Sequence, residues 1–342
     1  MLMVRPSADA ILQYLQSEGT KYYDEVVPGH QVSPIVFDPP SRTMSFGLGS
    51  EGSSAGPTAT VVKPTPSAET QYLAKIDVNA GFFHKCSQHL KQMVLAEFHQ
   101  ASKSYMFRCY HENDQRYARA VLGPSYPTDC DDRHLYPIAL SALEAQENIT
   151  ILLFSKTDHI TELLVQYNDV NVEFNGSTVR GTVSISNSET GHSAIWIEPT
   201  IQIYNNVYLG NNRGDGTSRY IHRGELPTIA ELTDAVRKAK QVAQVGVIQY
   251  LEEAQGFVTP KQVSGYLNDL VVLPRRFCKI IEEEIKDAER VQKGELIRKI
   301  LLAASQLPLI QQLQVRREVG KYVGVFENTA SRIAAIANQL QE

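Results

Sequence analysis

The 342-residue chain has few cysteines, and that scarcity excludes a disulfide framework. Cys86, Cys109, Cys130 and Cys278 stand far apart and form no C-x-x-C pair, so neither a zinc knuckle nor a thioredoxin-like motif is written here. Long apolar runs are also missing: nothing approaches the roughly 18 residues a bilayer span needs, and Arg5, Asp9 and Gln13 interrupt the N-terminus before a leader could form. The expectation is a protein of the cytoplasm with no membrane partner. An excess of positive charge is lacking as well. Net charge is −5, from 33 basic and 38 acidic residues, which argues against holding duplex DNA by bulk charge. Residues 225–342 hold 16 basic and 15 acidic groups, leaving 17 and 23 to the first 224, so any nucleic-acid surface is expected as a local patch. There is no Walker A sequence and no fixed-period repeat, and no cofactor is expected.

What remains is ordinary globular composition, 42% hydrophobic and 21% charged, on a chain longer than a single core usually supports. Residues 1–20 read as a short helix with Ser7 as N-cap and Gly19 as stop. Residues 28–66 are rich in Pro, Gly, Ser and Thr and read as a flexible arm. Helical spacing returns over 69–99, where Leu73, Ile76, Phe82, Phe83, Leu90, Met93, Val94 and Phe98 can line one side of a helical pair. YMFRCY (105–110) and RYARAVL (116–122) alternate about HENDQ, which signals a hairpin, and 132–146 reads as a helix. From Ile149 to Tyr208 branched and aromatic residues dominate between loops too short for helical crossovers, which predicts antiparallel sheet. Residues 209–219 read as an exposed glycine-rich loop. After Pro227 the chain is helical, with breaks near 256–260, 273–274 and 307–308. The fold class expected is α+β, a mostly antiparallel sheet flanked by helices and followed by a C-terminal helical region. Its units are an N-terminal helix and arm (1–66), an α+β core (67–226) and a helical domain (227–342).

Two constellations carry candidate chemistry. Arg108, Arg116, Tyr117 and Arg119 lie on the hairpin, and Arg213, Arg219, Tyr220 and Arg223 crowd a loop and its exit. Guanidinium groups for phosphates interleaved with rings for base stacking are what a single-strand groove requires. Cross-strand Tyr and Arg pairs with snorkelling stems are the plain alternative. The second constellation is Asp129, Asp131, Asp132 and His134, joined by Glu189 and His192, which suits a metal-dependent nuclease or a phosphotransfer enzyme. Acidic residues before a helix are equally expected as caps, so no metal site and no catalytic residue is assigned.

RAVLGPSY (119–126), and VSISNSETGH (183–192) followed by AIWIEP (194–199), together resemble the phage/plasmid-like protein family, a domain of unknown function carried by bacteriophages, plasmids and prophages. The resemblance covers about residues 100–260. HRG (222–224) matches the family's last element, while YNNV (204–207) stands where the family has a cysteine-containing motif, so a chemical role for that cysteine does not transfer. The resemblance implies a mobile-element protein working in the bacterial host cytoplasm beside replication or recombination genes. Joined to the basic and aromatic residues, it leads to a single-strand-preferring nucleic-acid binding protein, DNA before RNA. Such a protein would be a homo-oligomeric annealing or recombination mediator. A structural or host-defence-interfering protein whose helical part binds another protein is the third class.

Overall fold

A computed structural model describes residues 1–36, 44–49, 60–144, 146, 148–174, 176–205, 207–211, 215–222 and 226–326. Strand β1 (Leu2–Val4) leads into helix α1 (Ala8–Gly19), which Ser7 caps by accepting from the Ala10 N–H at 3.2 Å. Four strands follow: β2 (Tyr22–Pro28), β3 (Val32–Val36), β4 (Met44–Leu48) and β5 (Thr60–Pro64). Helices α2 (Pro66–Lys75), α3 (Ala80–Lys85) and α4 (Gln88–Phe98) precede the hairpin of β6 (Ser104–Glu112) and β7 (Gln115–Leu122). These strands form one six-stranded sheet in the order β2-β6-β7-β5-β4-β3, with β5 and β7 parallel.

The sequence-based arm is therefore overturned over its described residues. Met44, Phe46 and Leu48 alternate into a core with Val32 and Val62. What hid them is that β5, besides pairing with β4, joins β7 more than 50 residues away, so tertiary context helps make a strand of a Pro- and Thr-rich run. The expected helical pair is three helices, and only part of its apolar set points inward. Leu73, Ile76, Phe83 and Leu95 are buried, while Phe82, Leu90, Met93 and Phe98 face out.

The second half starts with α5 (Asp132–Glu144) and continues through β8 (Ile149–Lys156), β9 (Thr161–Phe174), β10 (Ser177–Asn187), β11 (Ile195–Tyr204), β12 (Val207–Gly210) and β13 (Ser218–Tyr220). With β1 they make a seven-stranded antiparallel sheet, β1-β8-β9-β10-β11-β12, in which β13 also pairs with β11. The helices are α6 (Ile229–Ala254), α7 (Pro260–Asp269), α8 (Arg275–Ile285), α9 (Lys293–Ala304) and α10 (Leu309–Val323). No helix among the described residues is long and apolar enough to cross a membrane. The boundary expected at 227 falls beside the Thr228 capping box of α6, yet α6 runs along the sheet and shares its core. Of the loop expected over 209–219, Leu209 is buried and Gly210 lies under α10.

The sheet's two faces differ because side chains alternate. Val179, Val183, Ile185, Ile195, Ile197, Ile201 and Ile203 face α6 and the helices beside it. The intervening residues Glu162, Thr182, Ser184, Glu198 and Thr200 make a buried polar face. Helix α10 covers part of it. Arg316 donates to both Glu162 oxygens, at 2.9 and 3.1 Å, and Arg317 donates to Glu198 at 2.8 Å. Helix and sheet touch closely where Gly320 meets Gly210: a Cβ on Gly320 would come within 2.0 Å of the Gly210 carbonyl oxygen.

Arg316→Ala strands the Glu162 charge in the interior, and the expected loss is about 3–5 kcal/mol in urea unfolding, most of it recovered when Glu162 is also made apolar. Wild-type stability in the single variant would show that this pair does not close the sheet.

Candidate functional site

The structure scatters the basic residues expected to form one groove. Arg108 is 2% exposed: its Nε and Nη2 donate to the two Asp24 oxygens at 2.8 Å, and its Nη1 donates to Asp131 Oδ1 at 2.7 Å and the Glu189 carbonyl at 2.8 Å. Arg119 is 5% exposed and donates to Glu189 Oε2 at 3.0 Å, with the Tyr22 ring 4.5 Å away. Both are corrected from groove to interior: a buried arginine held by carboxylates would have to strand them to reach a phosphate. Arg116 pairs with Glu25 over the Tyr23 ring, and Tyr117 stacks on Tyr110, the cross-strand alternative. Arg219 is exposed beside Trp196, and Tyr220 packs at the edge of the core on the other sheet. Arg213 and Arg223 lie outside the described residues.

The acidic constellation does assemble, but around lysine. Lys156 Nζ donates to Asp132 Oδ2 at 2.5 Å and Glu189 Oε2 at 2.8 Å, the position between two carboxylates that a divalent cation would take. Among the described residues no group of three or more His, Cys, Asp or Glu is arranged to hold a metal. Asp129 is exposed, and His192 turns away to Ser67, its Nε2 2.6 Å from the Ser67 hydroxyl. The turn over 187–191 ties everything in. Asn187 donates to Cys130 O and Asp132 Oδ1, both at 2.9 Å, and its Oδ1 lies 2.8 Å from His222 Nε2. Glu189 accepts from the Asp132 N–H at 3.0 Å, a carboxylate at the start of α5. Gly191 supplies the left-handed φ of 74°.

Burial alone would raise the Glu189 carboxyl, but Lys156 and Arg119 overcome it and hold the group at about 2. Asp131 is pushed up to about 7 by burial against the pull of Arg108. His222 is pushed down to about 4 by burial and then by Arg108. The cavity at this network is about 60 Å³, room for about two waters. Its chemistry is that of a joint between the two sheets.

A larger opening lies on the polar face of the seven-stranded sheet beside α10, whose Arg316 reaches the Tyr208 ring. A basin of about 670 Å³ is lined by Arg5, Arg180, Gln202, Tyr204 and Tyr208 among others, with no carboxylate among its described lining residues. Register places them together: Gln202 stands opposite Arg180 on β10 and opposite Tyr208 on β12. Three register shifts of this sheet, at Ile151/Leu153, Arg180/Thr182 and Gln202/Tyr204, fall at or beside basin residues, where bulges bend strands and re-aim side chains. Arg5 takes a φ of 49°, a strained conformation just past the end of β1 that costs about 1 kcal/mol or more. Arg180 donates to Gln166 Oε1 at 3.0 Å, while its Nε and Gln202 Oε1 are buried without a hydrogen-bond partner. Tyr204 is 37% exposed, and the Arg298 guanidinium lies 5.4 Å from its ring centre. Tyr208 is 3% exposed, and burial pushes its hydroxyl up to about 12. Sequence reasoning missed all five residues. Alternation in STVRGTVSIS and in IWIEPTIQIY could have put Arg180, Gln202 and Tyr204 on one face; for Arg5 there was no signal.

The pH dependence separates the groups of the joint. Because the folded Asp131 value lies above its ordinary 3.8, its contribution is present below about pH 4 and lost as pH rises to 7. In urea titrations Asp131→Asn should gain on wild type by roughly 3 to 4 kcal/mol over that window. His222, depressed from 6.5, has the opposite sign: its contribution is present above about pH 6.5 and lost as pH falls to 4, so His222→Gln should gain on wild type as pH falls over that window. Differences flat with pH would refute both assignments.

Compared with known proteins, the chain matches no family model, no curated protein and no solved structure.

Proposed function

We propose that the protein binds single-stranded nucleic acid across the open polar face of the seven-stranded sheet, with DNA as its first substrate. The observation that carries this reading is the basin itself: two arginines, Arg5 and Arg180, without a carboxylate among the described lining residues, beside the exposed ring of Tyr204. Arginine neutralises phosphate, and a ring on a sheet surface stacks an unpaired base. A duplex hides its base faces and would have to be held by charge, which a chain of net charge −5 supplies poorly. The resemblance of residues 119–126 and 183–192 to phage/plasmid-like proteins supports the same role in a bacterial cytoplasm. Self-association belongs to the proposal. Phe82, Leu90, Met93 and Phe98 on α3 and α4 expose a set of large apolar side chains of the kind that marks interaction surfaces.

Fluorescence anisotropy with labelled oligo-dT across a salt series tests the reading. Wild type should bind with a salt-dependent affinity. Arg180→Ala should weaken binding and lower the salt slope by about 0.7, and Tyr204→Ala should cost about 1–3 kcal/mol. Arg219→Ala, on a strand away from the basin, should bind as wild type does. Equal affinity in wild type, Arg180→Ala and Tyr204→Ala, or no binding at low salt, removes the proposal. For the oligomer, light scattering should show a mass above one chain that falls in Met93→Glu; a single-chain mass in wild type discards it.

A further inference from the structure

The wall of the basin holds an unused donor. Tyr208 is 3% exposed and lines the basin, and its hydroxyl has no hydrogen-bond partner among the described residues. Burial raises this hydroxyl to about 12, so the phenol is neutral at pH 7 and able to donate. The positive charges of Arg316, Arg180 and Arg5 all reach it and pull the other way, which places the three guanidinium groups around one point. Arg316 is answered by Glu162. Arg180 and Arg5 have no carboxylate partner among the described residues: Arg180 spends Nη1 on Gln166 and leaves Nε buried and unpaired, and the Arg5 guanidinium makes no hydrogen bond or ion pair there. The backbone N–H of Arg5 donates to Leu152 O at 2.9 Å, which fixes where that side chain starts.

Two unmatched guanidinium groups about one hydroxyl call for a concentrated anion. A phosphodiester inside a strand brings a single charge and two free oxygens, whereas a phosphomonoester brings about 1.5 to 2 negative charges and three oxygens. Gln202, opposite Arg180 in register, adds to the set. Its Oε1 is buried without a partner, so a half-turn of the amide presents Nε2 to an anion and breaks no hydrogen bond. The space along the sheet agrees with a strand end. Helix α10 bounds the basin beside Tyr208, with the Arg316 guanidinium 5.3 Å from the ring centre. Beyond Tyr204 the basin instead continues into a second cavity of about 350 Å³, and the two share Gly176, Ser177 and Tyr204 as lining residues. A strand stacked on Tyr204 has room to continue on one side and meets α10 on the other.

We propose that Arg5, Arg180 and Tyr208 form a site for a terminal phosphomonoester, by which the protein holds the phosphorylated end of a single strand. This inference rests on the single-strand reading for the strand that carries the phosphate. The phosphates of a 5′ and a 3′ end share this chemistry, and the experiment tells them apart. Because the Tyr208 hydroxyl has no partner within the described chain, Tyr208→Phe removes a donor to the ligand and no internal hydrogen bond, so its melting temperature should not fall.

The experiment uses the full chain and internally labelled oligo-dT with a 5′ phosphate, a 3′ phosphate or hydroxyls at both ends. Wild type should bind at least one phosphorylated strand roughly ten- to a hundredfold more tightly than the strand with hydroxyl ends, the gain expected of charge-assisted hydrogen bonds, and the preferred strand names the end. Tyr208→Phe should shrink that preference by roughly tenfold. Equal affinities for the three strands in a protein that does bind oligo-dT, or a preference undiminished in Tyr208→Phe, overturn the site and leave the single-strand reading standing. Calorimetry with thymidine 5′- and 3′-monophosphate against thymidine separates strand from free nucleotide. Binding of a monophosphate but not thymidine, without strand binding, keeps the site and removes the groove, and failure of strands and monophosphates alike removes the site.

Discussion

Glu189 sits at the junction of the two sheets as a buried anion, and three parts of the molecule take their position from it. Its side chain receives Arg119 from the hairpin of the six-stranded sheet, Lys156 from the seven-stranded sheet and the first N–H of α5. Its own carbonyl receives Arg108. Taking so many charges out of water is unfavourable unless every one is matched, and here the matching crosses between elements that are otherwise held by separate apolar cores. The joint therefore specifies orientation more than it adds stability. A misplacement of either sheet would leave a carboxylate or a guanidinium stranded, and that penalty falls on wrong arrangements alone.

The seven-stranded sheet shows the same economy on a larger scale. One face is apolar and continuous beneath α6; the other is polar, and α10 covers it only where Arg316 and Arg317 find Glu162 and Glu198. Where that cover ends, the sheet keeps arginine, glutamine and tyrosine side chains without carboxylate partners among the described residues. An exposed binding surface is in this sense the unfinished part of a buried one. The bulges at Arg180 and Gln202 mark the transition, because there the regular ladder gives way and side chains are turned toward the opening.

Much of the architecture was legible because it is written locally. The Ser7 cap, the alternation of 105–122, the β-rich stretch from Ile149 and the helix breaks at Pro260, Pro274 and Pro308 each depend on neighbours a few residues away. The strands within 32–64 were not, since β5 ties them into the sheet through β7, more than 50 residues further on. The site was the least legible. Arg108 and Arg119 carry the same side chains as a phosphate-binding arginine, and nothing near them in sequence announces that Asp24, Asp131 and Glu189 will close around them. Conversely, the basin residues come from β1, β10, β11 and β12 and share no local pattern, so they became visible only as neighbours across strands.

The pairing of Arg316 with Glu162 joins residues 154 positions apart. On a ribosome adding about 5–20 residues per second, Glu162 emerges roughly 8 to 30 seconds before the arginine that neutralises it. During that interval the strands of the large sheet exist with their polar face uncovered and their ionised carboxylates still hydrated. The carboxylates then give the nascent sheet a hydrated surface, one that the arriving α10, the last helix among the described residues, converts into interior.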